Sequence, residues 1–281
     1  MSAGLAQVVA WLNAVANALG KVALAPLAMG PGWLSATGVA VASGFVMLLV
    51  FKHTSHQRAI KRVRDGIKAD LLTLKLFKDS AWVALRAQGH ILIGACWLLL
   101  LAMVPMSVMI IPALLLMGQL SLWYDARPLS VGEETVITLK LNGPADSPWP
   151  EVYLAPTEAA EIMIGPVRVQ SKREICWNIK ALQSGYHRLV FHVDGQPIDK
   201  ELAIGNGFMR VSRLRPPRDS WDALWHPGEN PFTPAAPVQS IAIDYPERSS
   251  WTSGTFWWAI YWLVASMVAA FAFRRPLNVN L

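Results

Sequence analysis

The sequence predicts an α-helical membrane protein of about three spans plus a cytoplasmic amphipathic helix, with an inserted all-β sandwich domain. Three observations predict it. Segment 52–88 holds nine Lys/Arg against three Asp, a surplus of +6 that equals the net charge of the whole chain, so the remainder balances at 16 basic against 16 acidic. Uncharged runs of membrane length flank that segment on both sides, and a basic connector between apolar spans belongs in the cytoplasm. Between Tyr124 and Ser250 the pattern changes to short runs of alternating polarity, the mark of half-buried strands.

Composition agrees. Hydrophobic residues make up 53 % and charged residues 16 %, and thirteen Trp suit anchoring at a bilayer interface. A pI near 9.5 raises nucleic acid as a partner. The excess sits in one membrane-adjacent helix, however, which aims it at anionic headgroups instead. No RNP-like run or zinc-finger spacing accompanies it, so DNA is not an expected partner. Cys96 and Cys176 fall in dissimilar segments without a second ligand at metal spacing, and they read as unpaired thiols.

Residues 1–32 form the first element. Leu5, Val8, Leu12, Val15 and Leu19 recur at three-to-four spacing, with Gln7, Asn13 and Asn17 on other faces. That predicts an amphipathic helix lying in the membrane interface. Pro26 and Gly30-Pro31-Gly32 end it; an uncleaved leader is the alternative. The membrane core occupies 33–124. Trp33–Phe51 is its first span, about nineteen residues matching a hydrocarbon core of about 30 Å. Ala36, Ala40 and Gly44 sit four apart there, as do Gly38 and Ala42, a spacing that permits close helix packing in lipid.

In the connector 52–88, Ile60, Val63, Ile67, Leu71, Leu74 and Phe77 form an apolar stripe with charges on the other faces. Asp79-Ser80 is its best break, with Ser80 as a cap. The run Ile91–Trp123 is uncharged but interrupted by Pro105 and Pro112, so either one tilted crossing or a re-entrant hairpin satisfies it. Residues 251–281 close the chain. Thr255–Phe273 is a further span opened by Trp251, Trp257 and Trp258 and closed by Arg274-Arg275, which belong with the connector in the cytoplasm. The N-terminus and the β domain then lie outside, and the C-terminus lies inside.

The β domain covers 125–214. Ile137, Leu139 and Leu141 alternate with polar residues, as do Ile175, Trp177 and Ile179, and then Leu189, Phe191 and Val193. Asp194-Gly195 marks a hairpin. Gln183-Ser184-Gly185-Tyr186 resembles the tyrosine corner of immunoglobulin-like domains, and Pro128–Glu134 resembles their entry strand. The core expected on that resemblance is Trp177, Tyr186, Leu189 and Phe191. Residues 215–250, with seven prolines between Arg215 and Pro246, read as a tether whose late strand Val238–Ile243 returns to the sheet or lies along the membrane.

No catalytic set emerges. The six His lack an HExxH motif or a close acidic partner, and GxSxG, Walker A and Rossmann glycine patterns are missing. The expectation is a non-enzymatic protein with no metal or cofactor. The polar span residues Ser43, Ser107 and Gln119, with Lys52 at the exit, are candidates to line a wet groove. Arg58, Lys61, Arg62, Arg64 and Lys68 are candidates to contact lipid, a ribosome or a nascent chain.

The order of span, basic cytoplasmic connector and Pro-broken span resembles the core of the YidC/Oxa superfamily of membrane insertases. Val108–Leu115, with Pro112 inside an aliphatic run, and the polar exit Leu122–Pro128 carry the resemblance, which covers roughly residues 33–128. Ile111 stands where the family commonly has Gln, and no basic residue precedes Lys52 in the first span. The resemblance implies assistance to membrane-protein insertion in the inner (plasma) membrane, with nascent membrane proteins or ribosomes as partners. The alternative is an anchored immunoglobulin-like module that binds envelope proteins.

Overall fold

The computed structural model describes residues 3–24, 31–77, 80–144, 147–218, 221–254, 256–277 and 279. Pro26, Gly30, Asp79 and Thr255, expected as breaks or as a span's first residue, lie outside the described residues. The chain forms two compact units, Met1–Ala36 with Leu114–Tyr261, and Thr37–Ala113 with Trp262–Leu281.

The helices are α1 (Ala3–Ala23), α2 (Gly32–Thr54), α3 (Gln57–Leu76), α4 (Ala81–Tyr124), α5 (Asp222–Trp225) and α6 (Trp257–Phe273). Two of them, α2 and α4, are long and apolar enough to cross a membrane, and α6 is a shorter apolar helix. The run with two prolines is one helix. α4 continues for 44 residues with Pro105 and Pro112 inside, about 66 Å at 1.5 Å per residue, so the re-entrant alternative falls.

In the helical unit the small-residue stripe of α2 is its packing face. Ala40 and Leu48 are buried, and a Cβ added at Gly44 would overlap the Ser266 carbonyl oxygen of α6 and lie 3.1 Å from its Cα. The Trp262 indole donates to Ser43 Oγ at 2.9 Å, and Phe45 meets Phe273 edge-on at 5.4 Å. The second stripe is not used this way, because Gly38 faces open space.

The β region holds two antiparallel sheets, one ordered β3-β4-β1-β8-β7 and the other β2-β5-β6. In chain order these are β1 (Glu134–Leu141), β2 (Val152–Leu154), β3 (Ala160–Val169), β4 (Glu174–Ala181), β5 (Gly185–Val193), β6 (Gln196–Ile204), β7 (Leu214–Arg215) and β8 (Val238–Ile243). Ile137 pairs with Trp177 and with Ile243. Period-two alternation turns Ile137, Leu139, Ile175, Trp177, Ile179, Leu189 and Phe191 into one apolar core. Trp177 and Phe191 bridge the two sheets edge-on at 5.3 Å. At the β5–β6 hairpin both turn residues have positive φ, 47° for Asp194 and 78° for Gly195, the conformation a two-residue turn demands.

The late strand Val238–Ile243 takes the first of its two alternatives and returns to the sheet: β8 lies between β1 and β7 and pairs Leu139 with Ile241, which carries the sheet past 214. Two expectations are corrected here. Tyr186 is 61 % exposed and outside the core. Its hydroxyl accepts the Arg210 N–H at 2.9 Å, whereas the tyrosine in the sheet core is Tyr245, which accepts the Ala203 N–H at 2.9 Å. Finally, α1 does not turn its asparagines to water. Asn13 is buried and donates to the Ala223 carbonyl.

Candidate functional site

The helical unit carries the basic surface. α3 is tied to the first turns of α4 as an antiparallel hairpin. A Cβ at Gly94 would lie 2.7 Å from Ile67 Cγ1 and 3.7 Å from Val63 Cγ1, and Asp70 faces His90 at 3.7 Å. The apolar stripe of α3 therefore splits. Ile60 is buried and Val63, Ile67 and Leu74 are half-covered, while Leu71 and Phe77 stay exposed. Arg58, Lys61, Arg62 and Lys68 are exposed and Arg64 is half-buried. Among the described residues only Lys68 of these five has an ion pair, at 3.7 Å to Asp65 across one turn. The remaining cations face solvent unneutralised, so their fields add at short range.

Of the four groove candidates, Ser43, Lys52 and Ser107 belong to the helical unit and Gln119 to the sheet unit. Ser43 donates to its own helix at Ala40 and accepts from Trp262, so it fastens α2 to α6. Ser107 donates to Met103 one turn back and is exposed. Gln119 is buried in the other unit, where its amide donates to Asn17 Oδ1 at 3.0 Å. Lys52 sits half-buried in the last turn of α2. Two of the four, Ser43 and Gln119, thus spend polar atoms on fastening one helix to another, the usual role of such groups in an apolar medium.

The sheet unit holds a charged cleft that pattern reading missed. It has a volume of about 490 Å³ and is lined by residues that include Asn17, Arg188, Asp199, Glu201, Arg215 and Glu229. Lys200 lies beneath it, fully buried, with its ammonium 2.5 Å from Glu229 and 2.6 Å from the Ser212 carbonyl. Burial pulls the Lys200 pKa below the usual lysine range, and the Glu229 charge opposes that pull. Glu229 also accepts Ser212 Oγ and the Glu201 N–H, each at 2.8 Å. Arg215 donates to the Asp199 and Asn230 carbonyls and covers the Phe232 ring at 4.3 Å. Burial lowers its pKa as well.

The network binds the Pro-rich 215–234 stretch to β6. A signal for it was present. Leu202 and Ile204 face inward, so a period of two carries Lys200 inward too, and an inward lysine demands a carboxylate. What the sequence lacks is any local pointer to Glu229, 29 residues away. Among the described residues no group of three or more His, Cys, Asp and Glu is placed to hold a metal ion. Cys96 is exposed and Cys176 half-buried, and both are free thiols. No family model, curated protein or solved structure matches the chain.

Proposed function

We propose that the chain is a multi-pass protein of the inner (plasma) membrane that assists insertion or assembly of other membrane proteins, in the manner of the YidC/Oxa-type insertases its core resembles. On this reading α2, α4 and α6 are spans, and the α3–α4 hairpin and Arg274-Arg275 lie in the cytoplasm. The two sheets form an extracytoplasmic immunoglobulin-like sandwich. The observation that carries it is the unbroken passage from basic hairpin to apolar helix. α4 packs on α3 at Gly94 and continues through Leu99, Met103 and Met106, whose side chains are exposed. Only 6 % of its apolar stretch is buried by the rest of the protein. A client helix met by the cations of α3 would slide onto an apolar flank rather than into a hydrated groove, in keeping with the separate fates of Ser43, Ser107 and Gln119.

A photo-crosslinker at Leu99, Met103 or Met106 tests this in cells. Crosslinks to many nascent membrane proteins are expected. A small fixed set of envelope proteins, unaffected by stopping translation, would overturn it and favour the anchored-module reading. That second reading draws on β3, an edge strand of ten residues with Ile162, Ile164 and Val167 exposed, because such an edge offers a template for strand addition.

A further inference from the structure

α1 is built inside out for a helix in water. Its two asparagines turn to protein, whereas Gln7, near its start, stays exposed. Asn13 donates to the Ala223 carbonyl and Asn17 to the Pro227 carbonyl. Asn17 Oδ1 in turn accepts from Gln119 at 3.0 Å and Arg210 at 3.2 Å. The opposite face carries Trp11, 65 % exposed, and Val15, 39 % exposed. An amphipathic helix on a water-facing surface does the reverse, burying its apolar stripe. Polar side chains used as fasteners beneath an apolar outer face are the arrangement favoured where the surroundings are apolar.

The acceptor of Asn13 extends this face. Ala223 belongs to α5, and it is flanked by Trp221 at 64 % exposure and Trp225 at 40 %. Three exposed indoles from two distant segments are thus joined through one hydrogen bond. α5 in turn rests on the end of α4: a Cβ at Gly118 would lie 2.7 Å from the Leu224 carbonyl, and Ser121 Oγ donates to the Trp225 carbonyl at 3.3 Å. Gly118 and Ser121 stand within two turns of where the apolar helix gives way to Asp125, the level at which a membrane-crossing helix meets the headgroups. Indole, apolar in body with one N–H, is preferred at that depth.

We propose that α1 and α5 form a lipid-contacting platform in which Trp11, Trp221 and Trp225 enter the bilayer interface, while Asn13 and Asn17 hold the platform to the sheet unit. The occupant is the bilayer itself. Residues 3–20 carry no charge, and the charge that α5 adds is the acidic Asp222, so anionic lipid is not required. This sets the platform apart from α3, whose attraction to headgroups depends on charge and is weakened by salt. It is also independent of the insertion reading, since it concerns only how the sheet unit meets lipid.

The test uses the full chain in phosphatidylcholine vesicles, with Cys96→Ser and Cys176→Ser as background. An environment-sensitive dye is attached at Trp11→Cys, Val15→Cys, Trp225→Cys and, as a solvent-facing control, Glu158→Cys. The Val15 position reads the same face without removing an indole. Shallow nitroxide lipids are expected to quench positions 11, 15 and 225 several-fold more than 158, aqueous iodide to do the opposite, and high salt to change neither. Iodide quenching at 11, 15 and 225 equal to that at 158 would overturn the proposal. Protection from both quenchers would overturn it equally, by assigning the face to a protein neighbour.

Discussion

The Lys200 ammonium and the Glu229 carboxylate lie 2.5 Å apart with almost no access to water, joining β6 to a segment 29 residues further along the chain. Removing one member of a buried pair strands the other's charge, which costs about 3–5 kcal/mol. Glu229→Gln is therefore expected to lower the denaturation midpoint strongly. Adding Lys200→Met to it should recover part of the loss, because no unpaired charge remains. Chemical denaturation followed by tryptophan fluorescence checks the order of the two; a double variant less stable than Glu229→Gln would refute the account.

Gly44 carries the α2–α6 contact. Any side chain there meets the backbone of Ser266, which cannot rotate away, and overpacking of this kind costs about 1–3 kcal/mol. Gly44→Val should lower the melting temperature of the detergent-solubilised protein. Gly38→Val, on the open face of the same helix, should leave it within the error of the measurement.

The core aromatics separate by burial. Trp177→Ala is expected to destabilise the sheet unit by about 3–5 kcal/mol. Tyr245→Phe removes the acceptor of a buried N–H and should cost about 1–3 kcal/mol. Tyr186→Phe, at an exposed hydroxyl, should have the smallest effect of the three. Limited proteolysis of the loop around 206 ranks them, and a Tyr186 effect exceeding that of Tyr245 would contradict the assignment.

Glu133 faces Arg127 through two bonds of 2.8 Å. That pairing, helped by the Ser130 N–H, holds its carboxyl below the ordinary 4.5. A depressed carboxylate stabilises the fold above its unfolded value and loses that contribution as pH falls below it. Both groups are partly solvated, so the contribution at neutral pH is about 1 kcal/mol or less. Glu133→Gln should narrow the stability difference between pH 6 and pH 3, a trend that thermal melts across that range would reveal.

Lys61, Arg62, Arg64 and Lys68 crowd two turns of α3, and each such cation near an anionic surface is worth about 1 kcal/mol at low screening. Reversing all four to Glu should abolish salt-sensitive flotation with anionic vesicles. On the proposed function it should also reduce client insertion while leaving the sheets folded. Normal insertion by a correctly oriented quadruple variant would sink that function.

Periodicity was legible wherever burial has a simple period. The inward positions of β1, β4 and β5, the Asp194-Gly195 turn and the Ala36–Ala40–Gly44 stripe all follow from local spacing. β3 escaped because an edge strand exposed on both faces has no alternation to display, its residues from Glu161 to Arg168 being exposed throughout. Residues 215–250 misled for a related reason. Proline density signals the absence of regular structure locally, but it says nothing about long-range fastening, and here Arg215, Glu229 and Phe232 supply that fastening through side chains. Tyr186 stands out by its turn context, whereas the tyrosine of the sheet core, Tyr245, follows β8 and has no motif around it. The partners of Ser43 and Gln119 were not legible, because polarity inside an apolar helix marks a hydrogen bond without naming its partner.

The place of β8 also sets an order of events during synthesis. β1 leaves the ribosome about a hundred residues before the strand that must lie beside it, and that strand precedes the last apolar helix by only a short segment. Through that interval one side of β1 stands open, a row of unpaired backbone groups able to recruit a neighbouring chain. A ribosome stalled before residue 238 would release a protein with its first two apolar helices in place and an unfinished sheet. Such a product is open to proteases and to aggregation, so an incomplete copy of this protein carries its own marker for removal.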